Sequence, residues 1–79
     1  MKYIAICTIE RETFKIGIAN SGREATEIMQ NDFFSTLSDL YTEEEIEQEI
    51  GRGDNWDYDS FSAWLNTDDN YDWTILEIS

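Results

Sequence analysis

The sequence predicts an α+β domain, a small antiparallel sheet with elements in the order β-β-α-α-α-β, covered on one face by helices. Three observations predict it. Residues 2–9, 13–19 and 71–78 alternate in polarity or size with the period of a strand. The stretch from Ser21 to Leu65 instead spaces its apolar residues three and four apart, as helices do. Two Ser/Thr-x-x-Glu signals, Ser21 with Glu24 and Thr42 with Glu45, mark where helices start. The 79 residues contain no proline, repeat or linker, so one domain spanning 1–79 is expected.

In the first strand, Ile4 and Ile6 face one side, and Tyr3, Ala5, Cys7 and Ile9 face the other. The second strand places Phe14, Ile16 and Ile18 together, opposite Thr13, Lys15, Gly17 and Ala19. Glu10-Arg11-Glu12 is short enough to close a hairpin between them. From Ser21, a stripe of Ala25, Ile28, Met29, Phe33, Leu37, Leu40 and Tyr41 follows. Asn31-Asp32 leaves open whether this is one helix or two. Thr42 opens another helix with Ile46 and Ile50 inward, stopped at Gly51 or Gly53. Asp57 or Asp59 is placed to cap a last helix whose inner face is Phe61, Trp64 and Leu65. The final strand turns Tyr71, Trp73 and Ile75 to one side and Asp72, Thr74, Leu76 and Ile78 to the other. Its neighbour in the sheet is left open.

So short a chain buries only about 60% of its unfolded surface. Three Trp, four Tyr and four Phe offset this with large apolar area per residue, and set the chain apart from disordered acidic sequences. The single cysteine, Cys7, forms no internal disulfide and fits a reducing, cytoplasmic setting. The apolar run after Lys2 ends at Glu10 without the pattern of a signal peptide. No stretch approaches the roughly 20 apolar residues of a membrane span.

Charge is the informative property. The formal net charge is −13. From Asp39 to Glu77 there are thirteen acids and one base, Arg52, whereas residues 1–38 hold five acids and four bases. Charge of one sign on a compact chain repels itself. It disfavours nucleic acid and anionic lipid as direct partners and favours a basic protein surface or a metal cation.

Three acidic segments stand out. Glu43, Glu44, Glu45, Glu47 and Glu49 lie within about 9 Å if helical, roughly one charge per 1.8 Å of axis. Duplex DNA carries about one per 1.7 Å. The purely structural account is that these acids complement the helix dipole and complete its cap. In the second segment Asp54, Asp57 and Asp59 alternate with Trp56 and Tyr58, which suits an aromatic anchor in an acidic surround. The plainer account buries Trp56 and uses the Asp residues as caps. In the third, Asp68, Asp69 and Asp72 surround a turn ahead of the last strand. The ten acids Glu43, Glu44, Glu45, Glu47, Asp54, Asp57, Asp59, Asp68, Asp69 and Asp72 form the candidate partner-binding set.

Other chemistry has less support. An EF-hand loop fails from Asp57, where positions 5 and 6 are Phe61 and Ser62, and from Asp68, where position 12 is Ser79. There is no histidine to act as general base. Cys7 on an apolar strand reads as a small buried side chain. Gly51-Arg52-Gly53 has no phosphate-loop context, and Arg52 is expected to pair with neighbouring acids. No catalytic, cofactor or metal site is expected.

In size and charge the whole chain resembles the small acidic inhibitors made by phages and mobile elements, the anti-CRISPR and DNA-mimic antirestriction proteins. That resemblance rests on the acidic set above and on no shared motif. It implies an inhibitor, not an enzyme, acting in the bacterial cytoplasm. Its acidic face would occupy the basic nucleic-acid-binding surface of a CRISPR effector or other nuclease. Two alternatives are an immunity protein or antitoxin against a cognate nuclease, and an acidic accessory domain whose charge serves solubility. The Tyr-Gly-x-Asn-Leu-Asp pattern of barstar-like proteins is not found.

Overall fold

The computed structural model describes residues 2–78. The elements are β1 (Lys2–Ile9), β2 (Glu12–Ala19), α1 (Gly22–Leu37), α2 (Glu43–Glu47), β3 (Trp56–Tyr58), β4 (Ser62–Asn66) and β5 (Asn70–Ile78). The five strands form one antiparallel sheet in the order β2-β1-β5-β4-β3. The fold is α+β, with the order β-β-α-α-β-β-β in place of the expected β-β-α-α-α-β. The last strand lies beside β1 and closes the sheet against the first hairpin.

The expected third helix is instead the β3–β4 hairpin. Trp56, Tyr58, Ala63 and Leu65 supply a period of two toward the core. The helical spacing of Phe61, Trp64 and Leu65 does not form one face. Leu65 is buried, Trp64 lies half-buried on the opposite side, and Phe61 sits at the turn, 74% exposed. Neither Asp57 nor Asp59 caps a helix here, and Asp59 instead holds the hairpin turn. Its carboxylate accepts the amides of Phe61 at 2.7 Å and Ser62 at 2.8 Å. The same bonds that cap a helix also hold a tight turn.

α1 is one uninterrupted helix. Asp32 does not break it, because its side chain is taken by a distant donor: Trp73 Nε1 donates to Asp32 Oδ2 at 2.8 Å. The Ser21 hydroxyl accepts the Glu24 amide at 3.1 Å, so the first cap forms as expected. The returning bond differs, with the Glu24 carboxylate accepting from the Asn20 amide at 3.4 Å. Ala25, Met29, Phe33 and Leu37 are the buried face, and the helix ends before Leu40, which is 52% exposed.

The second capping box is complete, with Thr42 and Glu45 each satisfying the other's backbone amide. Yet α2 is a single turn. It stops at Gln48–Glu49, where Glu49 takes φ 57°, before either glycine is reached. Ile46 packs on the core while Ile50 is 45% exposed, so only one of the two expected inner residues is inward.

In β2 the simple alternation fails at a bulge. The register steps from Ala5↔Gly17 to Ile6↔Lys15, leaving Ile16 as the extra residue. Phe14 and Ile18 therefore fall on opposite faces, although a uniform strand would align them. Gly17 lies where α1 crosses closely; a Cβ there would meet Ile28 Cγ2 at 3.3 Å.

The core lies between α1 and the sheet. Phe33 is its centre, with ring centroids 5.1 to 6.1 Å from Phe34, Trp73, Tyr58 and Trp56. Both buried Trp N–H groups are satisfied, Trp73 by Asp32 and Trp56 by the Ile50 carbonyl at 2.8 Å. Cys7 is buried here, and burial pushes its thiol up to about 11. At neutral pH it is therefore a small apolar group rather than a nucleophile. Among the described residues, no helix is long and apolar enough to cross a membrane.

Candidate functional site

The fold sorts the ten candidate acids into three that hold the structure and seven that project from it. Glu45 completes the cap of α2. Asp57 is the acceptor of a clamp built by Arg52. Arg52 Nε donates to Asp57 Oδ1 at 2.8 Å, and Arg52 Nη1 donates to Glu49 Oε1 at 2.7 Å. The guanidinium carbon stands 4.6 Å from the Tyr58 ring centre, a cation–π distance. The hydrogen bond from Arg52, helped by the Tyr58 amide, holds the Asp57 carboxyl below its ordinary range. The same pairing raises Arg52. Asp59 is likewise lowered, first by the Phe61 amide and then by that of Ser62.

The Arg52 clamp has three consequences. It confirms that Arg52 pairs with neighbouring acids, and it closes the β3 edge, where Arg52 bridges Trp56 and Gly53 N donates to the Trp56 carbonyl at 2.7 Å. It also breaks the expected row of glutamates. The chain turns at Glu49, and that side chain leaves the row for Arg52. Glu43, Glu44 and Glu47 remain exposed on α2, and among the described residues none of them forms an ion pair. Gln48 Nε2 lies 3.4 Å from Glu44 Oε1.

The other projecting acids gather at one end of the sheet. Glu10 N donates to the Asn70 carbonyl and Asn70 N to Glu10 Oε1, each at 3.0 Å, which ties the β1–β2 turn to the β4–β5 turn. Asn66 N donates to the Asn55 carbonyl at 2.7 Å, which brings the start of β3 to the same end. Asp54, Asp68 and Asp69 are thus collected there, all exposed. Asp72 follows one step inside, level with Thr8 and Trp64 on the face away from α1.

Two exposed acids from the near-neutral half, Glu10 and Glu12, join this end beside Arg11. Sequence reasoning assigned them only to a hairpin turn. The pairing of β1 with β5 would have been needed to see them beside Asp68 and Asp69. Trp56, considered as an exposed anchor, is 1% exposed and belongs to the core. Tyr58 is partly buried between Phe34 and the Arg52 clamp, so neither ring projects as an anchor.

A shallow cavity of about 80 Å³ is lined by Asp57, Tyr58, Asp59, Ser62 and Trp64. Substrate pockets run to about 300 Å³ and more. Its carboxylates are already committed to Arg52 and to the turn. Among the described residues, no three of the His, Cys, Asp and Glu side chains converge to hold a metal ion. What the arrangement offers chemically is a set of exposed negative charges in two groups, α2 and the turn end, joined by residues 48–53. No protein-family model, curated protein or solved structure matches the chain.

Proposed function

We propose that this protein inhibits a nucleic-acid-binding enzyme, foremost as an anti-CRISPR protein, by laying its acidic surface on the basic channel of the effector in the bacterial cytoplasm. The observation that carries this reading is the imbalance from residue 39 onward, thirteen acids to one base, with that one base already spent on Glu49 and Asp57. Among the described residues, the other acids of this half form no ion pair. A structural role would pair them, whereas a ligand surface leaves them free for Lys and Arg of a partner. Occupying that surface excludes guide or target strand by charge and by bulk. Opposite charges would speed association and make it sensitive to salt.

The geometry identifies which acids to test. Asp57 and Asp59 hold the β3–β4 hairpin, so reversing them would damage the fold. Among the described residues, Glu47, Asp54, Asp68 and Asp69 make no hydrogen bond through their carboxylates. The test captures the tagged protein's partner from a host lysate at moderate salt, then assays that purified nuclease on its nucleic-acid substrate. Stoichiometric inhibition is expected, and the quadruple Lys variant of those four acids should lose it while keeping its circular dichroism spectrum. Undiminished inhibition by that folded variant, or capture of no nucleic-acid enzyme, would refute the proposal.

A further inference from the structure

The β3–β4 turn holds a ring out in water that the fold does not use. Among the described residues Phe61 is the most exposed large apolar side chain, at 74%. The turn is built without it. Asp59 N donates to the Ser62 carbonyl at 2.8 Å. Asp59 Oδ1 accepts the Phe61 and Ser62 amides and the Ser62 hydroxyl. α1 ties the same turn from behind. Thr26 Oγ1 donates to the Ser60 carbonyl at 2.7 Å, and Gln30 Nε2 donates to the Asp59 carbonyl at 3.1 Å. None of these bonds needs the Phe61 side chain, and Gly, Asn or Ser would suit such a tip better.

A ring on so tethered a mount is prepared for a partner. Binding through a mobile loop costs the ordering of that loop, whereas here folding has already ordered it. Aromatic side chains are enriched at protein interfaces. The mount also selects the partner by charge. Asp59 forms no ion pair among the described residues, and with Asp57, Ser62 and Trp64 it lines the shallow cavity beside the tip. Asp57 is tied through Arg52 to Glu49, so the tip lies on the edge that leads to the α2 acids. Acids at the foot of the ring disfavour anionic lipid and nucleic acid and favour a basic protein.

We propose that Phe61 is the aromatic anchor of the partner contact, its ring entering an apolar pocket on a basic protein, with a Lys or Arg at the rim of that pocket placed over Asp59. This deepens the function proposed above and rests on it for the basic character of the partner. The acids supply attraction at long range, and Phe61 supplies the apolar contact that holds the complex once formed. The role expected of Trp56 or Tyr58 thus falls to a ring seven residues or fewer away, on the one part of the hairpin that projects.

Kinetics of the full chain on its captured and purified partner, at low and moderate salt, test this. Phe61→Ala should lower affinity at least about tenfold. The loss should lie in faster dissociation with the salt dependence unchanged, because charge acts on encounter and apolar contact on residence. The quadruple Lys variant of Glu47, Asp54, Asp68 and Asp69 should do the reverse, slowing association and flattening the salt response. The photo-reactive residue p-benzoylphenylalanine in place of Phe61 should form an adduct with the partner, which keeps the test valid if Phe61→Ala fails to fold. A loss below about tenfold in folded Phe61→Ala, or no adduct from position 61, overturns the anchor and leaves the acidic contact standing. A partner that is not a nucleic-acid enzyme refutes the function above, and the loss with Phe61→Ala then still upholds the anchor. A parent chain that captures no partner overturns both.

Discussion

Residues 2–38 and 39–78 solve different problems within one sheet. The first region is regular: a hairpin and a helix of 16 residues, with acids and bases nearly balanced. Its one ion pair among the described residues, Arg23 with Glu27, is at 4.0 Å and largely solvated. The second is irregular: a one-turn helix, and three successive positive φ angles at Glu49, Gly51 and Gly53. Yet it supplies both fully buried tryptophans. The difference shows where charge is tolerated. Strands β3, β4 and β5 together hold three acids, and most of the others sit on α2 and in turns, where they face water. The aromatic rows bind the acidic half to the neutral one, and the connections carry the chemistry.

The strongest way to break that arrangement is at the junction. Phe33 comes from the first half and touches Trp56, Tyr58 and Trp73 of the second. Phe33→Ala should cost about 3–5 kcal/mol, as buried Phe to Ala changes do. A small domain holds only about 5–15 kcal/mol in total. The variant should unfold at much lower urea and lose near-ultraviolet circular dichroism. A midpoint within experimental error of the parent would mean that the two halves do not depend on this contact.

A smaller effect separates backbone strain from crowding in the acidic half. Gly51 and Gly53 both have positive φ, 83° and 87°. A Cβ on Gly51 would lie 3.0 Å from the Tyr41 hydroxyl and 3.3 Å from the Asn55 amide nitrogen, whereas one on Gly53 meets nothing within 4 Å. Both Ala variants incur the left-handed penalty of about 1–2 kcal/mol. Gly51→Ala should cost more by the displacement of Tyr41, and also disturb the Ile50 carbonyl that receives Trp56. Equal urea midpoints for the two variants would show that the loop yields freely.

The same contrast explains what was legible in the sequence. In the first half local signals agree with one another: the cap at Ser21, the stripe from Ala25 to Leu37 and the alternation of β1 all point to what forms. The exception is Ile16, because a bulge is set by cross-strand pairing and not by local pattern. In the second half local signals conflict. Phe61, Trp64 and Leu65 have helical spacing, but Trp56, Tyr58, Ala63 and Leu65 alternate, and β5 offers an edge that rewards the strand. Asp59 suits either outcome. The acidic character of the site was plain from composition. Its division into structural and projecting acids was not, because it depends on where Arg52 reaches and on which turns meet at one end of the sheet.

The smallest effect bears most directly on the charge itself. Among the described residues the seven projecting acids form no ion pair, so each should be destabilised by its acidic neighbours in proportion to the range of the field. That range is about 10 Å at 0.1 M salt and about 30 Å at 0.01 M. Raising monovalent salt across this interval should therefore raise the melting temperature by a few degrees, since about 1 kcal/mol moves a domain of this size by 4–8 °C. Asp68→Asn with Asp69→Asn should raise the melting temperature at low salt and shrink the salt response, because the like charges are removed and not merely screened. Glu27→Gln in the first half should do neither, since Glu27 faces Arg23 and its loss removes an attraction. A melting temperature that ignores salt, or an equal response from both substitutions, would mean that the second half is already neutralised. Its acids would then no longer be free to recognise a basic partner.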